Sequence, residues 1–236
     1  MSTVGLDDPI HFSCRQCSQC CREIGLLLTP FDVWNLSRRL NVTTGEFLAE
    51  FTVLALIPRY GKRIRLYLEQ AMNGPCPFLD DRLCGVYEAR PTSCRLYPLA
   101  LYVGVWGDGA DPVPFSGLTR RGIRECGGMQ EDSCLRSVQD YLDSQEAPVH
   151  LAVAKDFGHF LNYLYLFRTV PDDDRSSLEL VDCLFNLDVQ SPATPTAETA
   201  DEFTILPPQT DPRFVGRYAS AKASALRLFK KRPVVW

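Results

Sequence analysis

The chain has 236 residues, of which 45% are hydrophobic, and its formal net charge is −4. These values suit one large globular domain or a domain with an appendage, and the acidic balance argues against a dedicated nucleic-acid binder, which normally carries a basic field. No apolar run approaches the roughly 20 residues that a membrane span needs, and the start of the chain has acidic residues and no secretory signal. We therefore expect a cytoplasmic protein without nucleic-acid or membrane partners.

Ten cysteines mark the composition, and four of them fall in the stretch Cys14-Arg-Gln-Cys17-Ser-Gln-Cys20-Cys21. Disulfides rarely persist in the cytosol, where clustered thiols more often bind metal or carry redox chemistry. Cys-x-x-Cys spacing lets two soft thiolates meet one centre, and the triple step is the spacing of ferredoxin-type runs, whose fourth cysteine comes from elsewhere. The stretch therefore predicts a metal centre.

Cys20 and Cys21 are adjacent, which is unusual for two ligands of one small centre. Neighbouring side chains of an extended or irregular segment point in different directions. Two interpretations follow: the segment serves two centres, or one cysteine is a ligand and its neighbour packs beside it.

The N-terminal half reads as short mixed elements. Residues 1–11 are expected to form a frayed leader, and 24–28 a short buried strand. Thr29-Pro30-Phe31-Asp32 predicts a helix start with a capping box, and that helix should run to about residue 40. Thr44 is the expected cap of a second helix, and the alternation over 63–69 predicts a half-buried strand.

The next segment places further cysteines on a predicted hairpin. Short extended pieces at 76–79 and 84–87 flank an Asp80-Asp81-Arg82 turn, as in zinc-ribbon or iron–sulfur hairpins. A helical turn over 88–97 carries Cys94, a strand follows over 99–106, and a loop over 107–114.

The C-terminal half is predicted to be mainly helical. Helices are expected over about 130–145 and 149–167. The last segment, 211–236, reads as a basic helix with a solvated face, and docking of an acidic partner protein or another subunit is the alternative.

Together these elements predict an α+β protein, in which a small irregular cysteine-rich domain of short strands and helices carries a helical C-terminal extension. The expected segments are a leader (1–11), a cysteine-cluster metal-binding domain (12–129), a helical extension packed on it (130–189), a linker or extended arm (190–212) and a basic C-terminal helix (213–236).

An ordered set of motifs over residues 12–129 resembles the YkgJ family of CxxCxxCC cysteine-cluster proteins, which are described as zinc- or iron-chelating. In order, the motifs are Cys14-x2-Cys17-x2-Cys20-Cys21, Leu28-Thr29-Pro30-x-Asp32, Cys76-Pro77-Phe78-Leu79-Asp80, Cys84-Gly85-Val86-Tyr87, Arg90-Pro91, Cys94-Arg95-x-Tyr97-Pro98 and Cys126-Gly127. The family is also similar, more distantly, to flagellin lysine-N-methylases, which carry an iron–sulfur cluster on related cysteines.

The resemblance implies eight metal ligands: Cys14, Cys17, Cys20, Cys21, Cys76, Cys84, Cys94 and Cys126. It also implies that Arg90 and Arg95 lie close to the centre, where their charge would stabilise it. The chain departs from the family after Cys126, where Gly127-Gly128 replaces the usual proline. The other two cysteines, Cys134 on a predicted helical stripe and Cys183 in an apolar run, are expected to be buried as small hydrophobes.

An all-thiolate site is compatible with zinc and with iron–sulfur chemistry. Only His11 of the three histidines is near the cysteine stretch, and His150 and His159 are expected to be capping or core polar groups. The triple step and the surplus of thiols favour a [4Fe-4S] cluster with a redox or cluster-dependent role. The alternatives are a Zn2+-binding structural or interaction module, and a cluster-containing protein lysine N-methyltransferase, for which no methyl-donor pocket is recognisable. Whether the protein is an enzyme stays open, since no other catalytic constellation stands out.

Overall fold

The computed structural model describes residues 3–57, 63–68, 75–106, 113–120, 126–129, 134–168, 173–190 and 206–229. Helices and short strands alternate along this part of the chain, which confirms the α+β class. The helices are α1 (Gln19–Glu23), α2 (Pro30–Leu40), α3 (Thr44–Phe51), α4 (Thr92–Leu96), α5 (Val138–Ser144), α6 (Ala147–Phe167), α7 (Asp174–Phe185) and α8 (Pro212–Leu228). The strands are β1 (Thr3–Val4), β2 (Pro9–His11), β3 (Thr52–Ile57), β4 (Arg63–Leu68), β5 (Leu79–Asp80), β6 (Leu83–Cys84), β7 (Leu99–Trp106), β8 (Val113–Arg120) and β9 (Leu135–Ser137).

The strands form small antiparallel sheets: β1-β8-β7, β2-β9, β3-β4 and β5-β6. The prediction of a frayed leader over 1–11 is wrong for residues 3–11, and residues 1 and 2 lie outside the described residues. β1 pairs with β8 and β2 with β9, and Ile10 is buried. The Arg120 guanidinium also donates to the Pro9 carbonyl at 2.6 Å. These partners lie more than 100 residues away, so the leader has no local sequence signal for pairing.

Local chemistry determines where α2 and α3 begin. Thr29 and Asp32 form the predicted capping box of α2. The cap of α3 is Thr43 rather than the predicted Thr44, because the box needs the residue three positions before Glu46. Thr44 is buried, and its hydroxyl donates to the Asn186 side chain at 3.2 Å.

Tertiary pairing changes part of the predicted C-terminal half. The helix predicted over 130–145 is wrong at its start, because 135–137 pair with β2 and Ser137 caps a helix that begins at Val138. Residues 130–133 lie outside the described residues. The helix predicted over 149–167 is confirmed by α6, whereas α7 and β8 had not been predicted, and the loop assignment of 113–114 is wrong. Most of the expected linker, 191–205, lies outside the described residues, and the division into segments stays a prediction.

Two hydrophobic cores organise the described chain. The first lies among α2, α6, α7 and α8, with Phe160, Phe185 and Phe214 among its buried side chains. The second joins Phe12, Tyr97 and Tyr141 with parts of β2, β7 and α5. In the second core, the Phe12 ring meets the two tyrosine rings edge-on, with centroids at 5.5 and 5.7 Å.

The basic face expected on the C-terminal helix is only partly solvated. Lys222 of α8 is 2% exposed, and its Nζ lies 3.3 Å from Asp156 Oδ2 of α6. The Tyr218 hydroxyl donates to the same carboxylate at 2.7 Å. The prediction missed this burial because a lysine in a basic run gives no sign of an acidic partner 66 residues away. Residues 230–236 of the expected helix lie outside the described residues, and docking of an acidic partner here stays a prediction.

No helix in the described part of the chain combines the length and apolar character that a bilayer crossing requires.

Candidate metal centre

The short helix α1 carries Cys20 and Cys21 and directs them to different cores. Successive residues of a helix point about 100° apart. Cys20 packs against the second core and Cys21 against the first. The two cysteines therefore occupy different surroundings although they are adjacent in sequence.

Cys76 is joined to Cys21 through the backbone. The Cys76 N–H donates to the Cys21 carbonyl at 2.7 Å, which brings together two segments 55 positions apart. The hairpin predicted after Cys76 is confirmed, with Leu79 opposite Cys84 and Asp81 in the left-handed conformation at φ 51°. Cys84 thus returns to the same end of the molecule as Cys76.

Backbone amides point at the sulfurs of both hairpin cysteines. The N–H of Phe78 hydrogen-bonds the Cys76 thiol, and the N–H of Val86 hydrogen-bonds the Cys84 thiol, each two residues downstream. Such donors favour the charged thiolate. These amides therefore offset part of the rise in pKa that burial causes at the two sulfurs.

Cys94 reaches the same region on α4. Its N–H donates to the Pro91 carbonyl at 2.9 Å, and the neighbouring Ser93 hydroxyl donates to Leu27, which precedes α2. The Cys94 side chain packs against the first core, together with Cys21, Cys76 and Cys84.

These four cysteines, Cys21, Cys76, Cys84 and Cys94, form what we call the four-thiol group. A negative charge on Cys21 raises the pKa of each of the other three, and Cys94 also responds to Cys76 and Cys84. Burial is the larger cause in all three: it raises the pKa of Cys76 to about 11 and raises the pKa of Cys84 and of Cys94. Thiols from three separate segments therefore lie within electrostatic range of one another.

Cys20 acts on Cys21 rather than duplicating it. The Cys20 thiol donates a hydrogen bond to the Cys21 sulfur, which lowers the pKa of Cys21 to about 7. The same bond, followed by burial, raises the pKa of Cys20 well above its usual value. Both interpretations of the adjacent pair, two centres or one ligand with a supporting neighbour, stay predictions.

Cys14, Cys17 and Cys126 have surroundings different from those of the four-thiol group. Cys14 and Cys17 are exposed, and a charge on Cys14 reaches Cys20 and Tyr141. Cys126 is buried in the second core. Among the described residues, no three cysteine, histidine, aspartate or glutamate side chains are arranged so that they could hold a metal ion.

The two cysteines expected to be buried have different environments. Cys183 is buried as predicted, and its thiol donates to the Ala221 carbonyl at 3.4 Å. The prediction for Cys134 is wrong: it is exposed and precedes β9, and its N–H donates to the Ser13 hydroxyl at 3.4 Å. The helical stripe that suggested burial does not form, because residues 135–137 are extended.

The two arginines of the motif differ in their relation to the thiols. Arg90 lowers the pKa of Cys84, although less than burial raises it, and its guanidinium stacks 4.0 Å from the Tyr87 ring centroid. Arg95 instead donates to the backbone carbonyls of Glu88, Arg90 and Gln145. Arg95 therefore ties α4 to the junction of α5 and α6.

Sequence reasoning missed one element of the site. The sequence predicts a capping role for Asp32 and includes it in a family motif, but not the hydrogen bonds from Thr92, at the start of α4 and two residues before Cys94, to its buried carboxylate. The two residues are 60 positions apart, and no local pattern links them.

The chemistry of the four-thiol group suits zinc or iron. Thiolate sulfur is a soft ligand that zinc and iron–sulfur clusters both accept, and all-cysteine sites of four ligands are known for each. The type of donor therefore fits either metal, whereas the positions of the described side chains do not form a closed coordination site.

Comparison with known proteins agrees with this chemistry. The model of the CxxCxxCC family, whose description is "Putative zinc- or iron-chelating domain", matches residues 13–134, more than half of the chain. No curated protein and no solved structure shows significant similarity to the chain. On the strength of the family match, this chain belongs to the CxxCxxCC family of zinc- or iron-chelating domains.

Proposed function

We propose that this protein binds metal through the four-thiol group and that the bound species is a [4Fe-4S] cluster with a redox or cluster-dependent role. One observation carries the proposal: Cys21, Cys76, Cys84 and Cys94 come from three segments and pack in or against the first core, and the Cys76 N–H donates to the Cys21 carbonyl at 2.7 Å. Buried like charges repel, and a bound cation compensates that repulsion.

The surroundings of the group support a thiolate centre. The amides of Phe78 and Val86 donate to two of the sulfurs, and Arg90 brings positive charge to Cys84. Hydrogen bonds to sulfur and nearby charge are the features that tune iron–sulfur potentials. The preference for iron–sulfur over zinc comes from the triple Cys-x-x-Cys step of Cys14, Cys17 and Cys20, which lie outside the four-thiol group and stay predicted ligands.

Metal binding to this group is coupled to proton release. Burial holds the pKa of Cys76 near 11 and raises the pKa of Cys84 and Cys94, so these thiols are protonated in the metal-free chain at neutral pH. Ligation requires thiolates, so binding strengthens as pH rises.

Anaerobic purification followed by iron, acid-labile sulfide and zinc analysis tests the proposal. A brown protein with iron and sulfide in equal amounts is expected. A colourless protein with stoichiometric zinc would refute the cluster and favour the zinc module. The metal content per chain also separates one centre from the two that eight ligands allow.

Single cysteine-to-serine variants test the ligands. Changes at Cys21, Cys76, Cys84 or Cys94 should each remove or sharply reduce the bound metal, because each deletes one of four donors. Cys183→Ser is the matched control, since Cys183 is also a buried cysteine packed in the first core. Normal metal content in the first four variants would overturn the assignment.

The narrower YkgJ assignment, the lysine N-methyltransferase alternative and the cytoplasmic location stay predictions. Calorimetric titration with S-adenosylmethionine decides the methyltransferase alternative, which requires measurable binding heat. Cys14, Cys17, Cys20 and Cys126 also stay predicted ligands, and their serine variants belong in the same metal analysis.

A further inference from the structure

Asp32 joins the start of α2 to the start of α4. Its carboxylate is completely buried. Oδ2 accepts hydrogen bonds from the backbone N–H and the hydroxyl of Thr29, both at 2.8 Å. Oδ1 accepts from the N–H of Thr92 at 2.7 Å and from its hydroxyl at 2.8 Å. Each carboxylate oxygen therefore accepts hydrogen bonds from the start of one helix.

The helix α4 depends on this outside partner. It has only five residues, and its own N-cap, Pro91, supplies no side-chain hydrogen bond. Helices this short are not stable by themselves, and the first N–H groups of a helix need acceptors. Asp32 provides the missing acceptor from another part of the chain.

His150 of α6 adds a third contact to the carboxylate. Its Nδ1 lies 3.7 Å from Asp32 Oδ1 and 3.5 Å from the Thr92 hydroxyl, and its ring packs on Phe31. Burial alone would raise the pKa of Asp32, but the interaction with His150 and the hydrogen bonds from Thr29 and Thr92 outweigh it and hold the pKa below the usual value. The carboxylate thus stays ionised, and its charge reaches Cys94.

We propose that Asp32 is a positioning residue for the metal centre: through Thr92 it fixes α4 and thereby directs Cys94 toward Cys21, Cys76 and Cys84. This inference rests on the proposed function. The inference goes beyond that function because it states that a buried carboxylate on α2 sets the position of a ligand on α4. Partners that orient metal ligands typically change metal affinity by about 10- to 100-fold when they are altered.

Two threonines bonded to the same carboxylate allow a matched test. Thr92→Val removes the hydroxyl bond on the α4 side, and the backbone bond to Asp32 remains so that the chain can fold. Thr29→Val removes the hydroxyl bond on the α2 side and also the cap bond from Asp32 N–H to Thr29 Oγ1. Thr29→Val should therefore destabilise the fold at least as much as Thr92→Val, but only Thr92→Val should disturb Cys94.

The measurement is anaerobic titration of the full metal-free chain with Co2+, followed by its thiolate-to-cobalt charge-transfer absorption. Thr92→Val should weaken Co2+ binding by about 10-fold or more and lower the band intensity toward that of Cys94→Ser. Thr29→Val should keep wild-type affinity and intensity, and Thr92→Ser, which retains the hydroxyl, should restore both. Urea unfolding of the same variants gives their stability.

The possible outcomes separate the two proposals. Wild-type binding by Thr92→Val, or equal weakening by both valine variants, overturns the positioning role of Asp32. A wild-type chain without any thiolate-to-cobalt band overturns the four-thiol centre itself.

Discussion

Arg95→Met tests the buried guanidinium that connects α4 to the junction of α5 and α6. Arg95 is 3% exposed and donates to the carbonyls of Gln145 at 2.8 Å and Arg90 at 3.3 Å, and also to the Glu88 carbonyl. Methionine keeps an unbranched apolar chain of similar reach and removes all the donors. The variant therefore isolates the hydrogen bonds from the packing.

The size of the effect follows from the surroundings of the acceptors. A hydrogen bond from a charged donor contributes about 1.5–3 kcal/mol, and Arg90 and Gln145 are at least partly buried, so their carbonyls lose much of this when Arg95 is removed. Glu88 is exposed, so water can replace the donor there. Releasing a charge from burial offsets part of the loss. We expect the free energy of unfolding to fall by about 2–4 kcal/mol.

The ion pair of Arg95 with Glu146 contributes little to this total. Its N–O distance is 3.3 Å, but the Glu146 side chain is 82% exposed and is screened by solvent. Exposed ion pairs contribute about 0–1 kcal/mol. Glu146→Gln is therefore the control and should change stability by less than about 0.5 kcal/mol.

Urea unfolding at equal metal content measures both variants. With a denaturant dependence of about 3 kcal/mol/M, the Arg95→Met midpoint should fall by about 1 M. The reasoning is wrong if Arg95→Met lowers the free energy of unfolding by less than about 1 kcal/mol, or if Glu146→Gln lowers it equally.

Three further outcomes are expected. The pKa of Asp32 in the folded chain lies below its unfolded value of about 4, so the ionised carboxylate stabilises the fold above that pH. This contribution to the free energy of unfolding is lost as pH falls through the folded pKa. Acid unfolding of Asp32→Asn should therefore lack this pH-dependent loss of stability. In the metal-free chain, the rate of Cys21 alkylation, measured by mass spectrometry, should reach half its maximum near pH 7. Cys20→Ala should move that midpoint to higher pH because the hydrogen bond to Cys21 is lost. An unchanged midpoint would contradict the hydrogen bond. Asp156→Leu should lower the free energy of unfolding by about 3–5 kcal/mol, because it leaves Lys222 without its buried carboxylate. In a double-mutant cycle, adding Lys222→Met should recover much of that loss. Additive losses would show that the two residues are not coupled.

Local signals predicted the elements whose hydrogen bonds close within a few residues. The capping box of Thr29 and Asp32 predicted the start of α2, and the turn at Asp80-Asp81-Arg82 predicted the hairpin that carries Cys84. The α6 helix followed from its long apolar pattern. Each of these predictions needs only the residues inside the element or next to it.

The predictions that failed depended on distant partners. Residues 135–137 have a helical pattern with the residues that follow, but β2 pairs with them and makes them a strand. Lys222 belongs to a basic run, yet Asp156 and Tyr218 give it a buried site. Pairing with a distant strand, or with a buried carboxylate from elsewhere in the chain, overrides the conformation and exposure that the neighbouring residues favour. The adjacent sequence carries no signal for such a partner.

The sequence by itself determined the chemistry of the site: ten cysteines, a triple Cys-x-x-Cys step and the ordered motifs that identify a zinc- or iron-chelating family. Only the tertiary structure decided which thiols share an electrostatic environment. It directs Cys21 to the first core with Cys76, Cys84 and Cys94, and it makes Cys20 the hydrogen-bond donor to Cys21. The physical reason is that ligand type is a property of single residues, whereas a shared electrostatic environment depends on contacts between segments up to 73 positions apart.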